Sequence, residues 1–152
     1  MKTSELIGPA LDWAVAACEG VRVEIHSTAA IMERRLRSLT PDEAETLPQP
    51  KPYLVMPGKG RCEYSTDWAQ GGPITDREHI EIRPTITEGG YRTSDSPDAV
   101  HARILLPNGA TVFNPCAVIS EYGPTALIAA MRCYVASKLG DEIAVPNELR
   151  EL

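Results

Sequence analysis

Residues 123–140 read GPTALIAAMRCYVASKLG. Pro124 suits the first position of a helix, where its missing N–H costs nothing, and Gly140 suits the end. Lys138 stands where the negative pole of the helix dipole would be. Between these signals Ala and Leu dominate, and Leu127, Ile128, Met131, Val135 and Leu139 fall on one face. This predicts a core helix near the end of the chain. Residues 3–20, TSELIGPALDWAVAACEG, predict a matching helix near its start. Thr3-Ser4-Glu5 offers an N-cap, Pro9 must lie in the first turn or start the main run, and Gly20 predicts a left-handed stop.

The segments between these helices alternate in the manner of strands. VRVEIHS (21–27), YLVMP (53–57) and HIEIRPT (79–85) each read so, and ARILLPNGATVFN (102–114) predicts a hairpin turning at Pro107-Asn108-Gly109. Met32, Leu36 and Leu39 predict a short helix over residues 28–39, with Arg34, Arg35 and Arg37 on its wet side. The proline- and acid-rich TPDEAETLPQPKP (40–52) follows as an exposed excursion. The fold class is α+β: a small antiparallel sheet, helices at both ends of the chain and a Pro-rich excursion. One domain over residues 1–152 accounts for the length, with the inserted helix and excursion at about 28–57.

With 152 residues at 43% hydrophobic, the chain can bury a core without disulfide staples. Its net charge of −6 and the lack of a basic stripe disfavour nucleic acid as a partner. No apolar run spans a bilayer and no signal peptide opens the sequence, so no membrane partner is expected. Cys18, Cys62, Cys116 and Cys133 form no C-x-x-C pair and read as reduced thiols of a cytoplasmic protein.

Aromatics make up only 5% of the chain, which makes EYSTDWAQGGPI (63–74) informative. Tyr64 and Trp68 can stack on a planar group, and Asp67 can accept from ribose hydroxyls or a base amino group. Ser65, Thr66 and Gln70 can fix orientation, and Gly71-Gly72 lets backbone N–H groups approach an anion. Arg77 and Arg132 are candidates to hold phosphate, since a guanidinium fork suits it. The competing reading is structural. Asp67 or Thr66 caps a turn, Trp68 plugs the core, Gly-Gly-Pro starts a helix, and Arg132 pairs with Asp67 or Glu121. The stretch is neither a Walker loop nor a dinucleotide fingerprint. His26, His79 and His101 lack metal-ligand spacing, and Cys116 lacks a local base. No catalytic residue, metal or cofactor is assigned.

The strings D-W-x-x-G-G-P-I at residues 67–74 and GPTALIAAMRCYVASKLG at 123–140, with the opening MKTSEL and ALDWAVAACEG, resemble the NinX family of tailed-phage proteins. The resemblance implies a phage-encoded accessory protein acting in the bacterial host cytoplasm, and implies no activity. By analogy with small phage proteins that sequester immune signals, we expect a binding protein for a nucleotide-like small molecule, of ADP-ribose or cyclic-nucleotide type, that does not cleave it. A pocket so poor in aromatics implies a homodimer or larger assembly. Two other readings stand beside it. One is a nucleotide-processing enzyme using Asp67 with His79 or His101. The other is an interaction module that inhibits a host factor through residues 28–52.

Overall fold

The computed structural model describes residues 1–27, 51–84, 100–105 and 118–150. In chain order the elements are α1 (Gly8–Cys18), β1 (Glu24–Ser27), β2 (Pro52–Met56), β3 (Gly60–Arg61), α2 (Trp68–Arg77), β4 (Glu81–Pro84), β5 (Val100–Leu105), β6 (Val118–Gly123) and α3 (Ala126–Leu139). Short 3-10 turns at Thr3–Glu5 and Asn147–Leu149 bracket them. The class is α+β, and its strands divide between two antiparallel sheets, β1-β2-β3 and β4-β5-β6. The predicted helix at 28–39, the excursion up to residue 50, and the turn and second strand of the 102–114 hairpin lie outside the described residues. So does Cys116. Strand β5 pairs with β4 on one side, Glu81↔Arg103 through Pro84↔Val100, and with β6 on the other, Leu105↔Val118 through Val100↔Gly123.

Helix α3 is the centre of the molecule. It packs on the β4-β5-β6 sheet, on α1 and on α2. Residues 129–136 are therefore buried all the way round, and the expected single apolar face is not what forms: Leu139 stays exposed. The alanines make this possible, because small side chains let elements close in from several directions. Arg132 is the price of a fully buried helix carrying a cation. Its Nε donates to the Leu6 carbonyl at 2.8 Å and Nη1 to the Tyr122 carbonyl at 2.7 Å.

Two caps differ from their sequence signals. Helix α3 is capped by Thr125, whose Oγ1 accepts from the Ile128 N–H at 3.2 Å, so Pro124 precedes the helix. Thr3 does not cap α1, which starts after Ile7 without a side-chain cap. Its hydroxyl donates instead to the Gly140 carbonyl at 2.8 Å, closing the far end of α3. Gly20 and Gly140 terminate their helices at φ of +66° and +85°. No helix among the described residues is long and apolar enough to cross a membrane.

Helix α2 lies against α3 through Gly71, which is buried and helical. A Cβ there would stand 2.3 Å from the Tyr64 carbonyl oxygen and 2.8 Å from Leu127 Cδ1. At the adjacent Gly72 a Cβ would make only an ordinary contact, 3.5 Å from Trp68 Cε3. Urea denaturation should therefore separate the two glycines. Gly71→Ala is expected to lose about 1–3 kcal/mol by overpacking, whereas Gly72→Ala should be neutral or gain up to about 1 kcal/mol of helix propensity.

Candidate functional site

The segment 63–74 is a turn that runs straight into α2. The Glu63 carbonyl accepts from the Thr66 and Asp67 N–H groups at 3.2 and 2.8 Å, closing the turn. Asp67 then caps the helix, its Oδ1 accepting from the Ala69 N–H at 2.9 Å. Gln70 braces the turn from the other side. Its Oε1 accepts from the Glu63 N–H and its Nε2 donates to the Arg61 carbonyl, both at 3.1 Å. The Ser65 N–H donates to Asp12 Oδ1 at 2.6 Å, which fastens the turn to α1.

With the turn held, Trp68 emerges as the first residue of α2 and is 52% exposed, so the indole does not plug the core. It stands on the rim of a cleft of about 230 Å³ lined by Ser65, Thr66, Trp68, Thr125, Ala126, Leu127 and Ile128. One wall is the beginning of α2 and the other the beginning of α3. Each helix N-terminus presents N–H groups without intrahelical partners and carries roughly half a positive charge. Among the described residues lining the cleft, none bears a charged side chain. The Asp67 carboxylate that caps α2 offsets the positive end of that helix, so the chemistry of the cleft is a flat indole, hydroxyls from Thr66 and Thr125, an aliphatic floor and the start of α3.

Ser65 is 1% exposed, and its hydroxyl lies beside the Asp12 carboxylate, where it favours the ionised form.

The cleft gathers Ser65, Thr66 and Trp68 from the sequence candidates and leaves the others elsewhere. Asp67 and Gln70 stand beside it but spend their polar atoms on the cap and the turn. Tyr64 is buried beneath, its hydroxyl 3.8 Å from Met56 Sδ, so it does not form a second stacking wall. Gly71 and Gly72 are within α2, and the Gly71 N–H is bonded to the Asp67 carbonyl at 2.9 Å, so this pair is no anion cradle. Arg77 closes α2, ten residues long and so about 15 Å from end to end. Its fork grips Glu19 at 2.6 and 3.1 Å, and Tyr134 Oη donates to the same carboxylate at 2.5 Å. That cluster ties the C-terminal ends of the three helices together, away from the cleft. Arg132 does not line the cleft, and two of its donors are given to the Leu6 and Tyr122 carbonyls.

Sequence reasoning missed the α3 wall and Asp12. Thr125 carried the relevant signal, a hydroxyl residue just before an alanine-rich helix. Asp12 sits in an apolar helical run, where a lone carboxylate signals a buried acceptor. A second hollow of about 480 Å³, lined by Lys2, Ser4, Glu121, Asp141 and Glu142, is larger but acidic. Burial and the neighbouring Asp141 raise the pKa of Glu121 there, while Arg132 opposes the rise. Among the described residues no cluster of three or more His, Cys, Asp or Glu is placed to hold a metal ion.

A family model described as Bacteriophage P22, NinX matches residues 2–138. Comparison with curated proteins finds no match.

Asp12 sets a measurable pH dependence. Burial is the chief cause that raises its pKa from 3.8 to about 6, against the lowering effect of the Ser65 N–H. The folded protein thus holds this proton more tightly than the unfolded chain does. Its contribution to stability is most favourable below pH 3.8 and declines as pH rises through about 6. Asp12→Asn keeps an acceptor for Ser65 without a charge. Denaturation midpoints should show it more stable than the parent by about 2–3 kcal/mol at pH 8, converging near pH 4. A stability difference independent of pH would exclude a buried, proton-linked Asp12.

Proposed function

The chain belongs to the NinX family of bacteriophage proteins, and from that premise we propose that it is a phage accessory protein that binds a nucleotide-derived host immune signal and withholds it without cleaving it. The observation that carries this reading is the half-exposed indole of Trp68 at the mouth of a cleft where two helix N-termini converge. A nucleotide needs a flat surface for its base and positive potential for its phosphate. Stacking on an aromatic side chain contributes about 1–3 kcal/mol per base and tolerates any base. Asp67 takes the Ala69 N–H of α2 and Thr125 the Ile128 N–H of α3, so on this reading the first N–H groups of α3 supply the anion-binding element.

The size of the cleft supports an assembly. At about 230 Å³ it is smaller than the roughly 300–1,000 Å³ of pockets that enclose a whole small ligand. One protomer would take a base with its nearest phosphate, and a second copy would cover the remainder, making the working form a homodimer or larger. The place of action on this reading is the cytoplasm of the infected bacterium. The acidic hollow beside Glu121 does not compete for such a ligand, because its carboxylates repel phosphate.

The test is retention followed by release. The purified protein is incubated with nucleotide signals, desalted and heated, and the released small molecules are identified by mass spectrometry. Recovery of the unaltered compound is the expected result; recovery of a hydrolysed product would replace sequestration with catalysis. Trp68→Ala should weaken binding about 5- to 150-fold, the equivalent of one lost stack. Its melting temperature should barely move, because the ring is half in water already.

A further inference from the structure

Resting on the binding reading of the cleft, we infer that Asp12 is its positioning residue, and that a guest entering between α2 and α3 binds together with a proton taken from solvent onto the Asp12 carboxylate. Asp12 belongs to α1 and is 4% exposed. It is fixed to the segment behind the cleft at two points. Its Oδ1 accepts from the Ser65 N–H at 2.6 Å, and its backbone carbonyl accepts from Cys62 Sγ at 3.8 Å. Ser65 itself lines the cleft, and Thr66 and Trp68 follow it along the same wall. The carboxylate therefore acts on a guest through Ser65, by setting where the turn presents its hydroxyl and its indole.

A carboxylate in that place is balanced between two states. Burial disfavours its charge, while the Ser65 N–H and hydroxyl favour it. The groups that face it come from residues 62–65. Glu63 opposes a second negative charge, and Cys62 and Tyr64 are kept protonated by burial. On α3, which also packs on α1, Arg132 donates to the Leu6 and Tyr122 carbonyls and Tyr134 to Glu19; on β2, Tyr53 stacks on His26. A guest that displaces water from Ser65, Thr66 and Trp68 dries the surroundings of Asp12 and tips it toward the neutral acid, whatever the charge of the guest. An occupied cleft thus holds the proton to higher pH than an empty one. The unoccupied carboxyl titrates at about 6, so affinity is highest below that pH and declines as pH rises through it.

Isothermal titration calorimetry of the full chain tests the inference with cyclic AMP and ADP-ribose, neither of which titrates near pH 6. Repeating each titration in buffers of different ionisation enthalpy counts the protons taken up. Binding is expected to be about three- to tenfold tighter at about pH 5 than at about pH 8, with net proton uptake between them. Asp12→Asn keeps an acceptor for Ser65 but cannot titrate, so its affinity should stay flat across this range. Asp12→Ala, which removes the acceptor, should bind about tenfold or more weakly than Asp12→Asn at every pH. Proton uptake is counted on the unsubstituted protein, so the test stands even where Asp12→Ala fails to fold. Binding without proton uptake, a pH profile unchanged in Asp12→Asn, or equal affinity of the folded Asn and Ala variants would overturn the inference and leave nucleotide binding intact. Absence of heat with both probes at every pH would overturn this inference and the function it rests on.

Discussion

The close approach of α2 to α3 at Gly71 is the constraint from which the rest of the arrangement follows. Only a residue without a Cβ fits between the Tyr64 carbonyl and Leu127. With Gly71 there, α2 lies against the central helix, and its N-terminus is set beside that of α3. Everything else in the 63–74 segment secures that position. Asp67 caps, Gln70 braces, and Asp12 anchors Ser65 from α1. At the other end of α2, Arg77 binds Glu19 and Lys138 Nζ donates to Glu78 at 2.9 Å, so the helix is fixed at both ends. The indole that begins this braced helix is held in place while half exposed to solvent.

At the cleft the Asp67 carboxylate caps α2, so backbone positive potential is left to the start of α3. The arginines that sequence would have enlisted serve structure. Arg132 satisfies carbonyls inside the core, and Arg77 joins the helix ends.

The fold class and its two main helices were legible because strong local signals agreed. Prolines near helix starts, glycines at ends and alanine-rich runs all point one way in α1 and α3. Thr3 and Pro124 misled, since a cap depends on which backbone groups come near, and Thr3 finds its partner on Gly140 across the chain. Strand β6 was not recognised, because pairing with β5 is a long-range choice that VISEYG does not announce. In the candidate site, the exposed indole and the Asp67 cap were readable from residue chemistry. The α3 wall and the engagement of Tyr64, Arg77 and Arg132 were not, being products of packing among elements distant in sequence. The Gly-Gly pair had a local signal with two physical causes, close packing and anion approach, and the packing of α2 against Leu127 selected the first.

The central claim is that the groove between the starts of α2 and α3 is the binding surface. Amide chemical-shift mapping by NMR during titration with cyclic AMP tests it most directly. The account predicts that the largest shifts fall on the backbone amides of Ser65, Trp68, Ala126 and Leu127, together with the Trp68 indole N–H. Shifts centred instead on Lys2, Ser4 and Glu142, or spread evenly with the cleft unmoved, would contradict it.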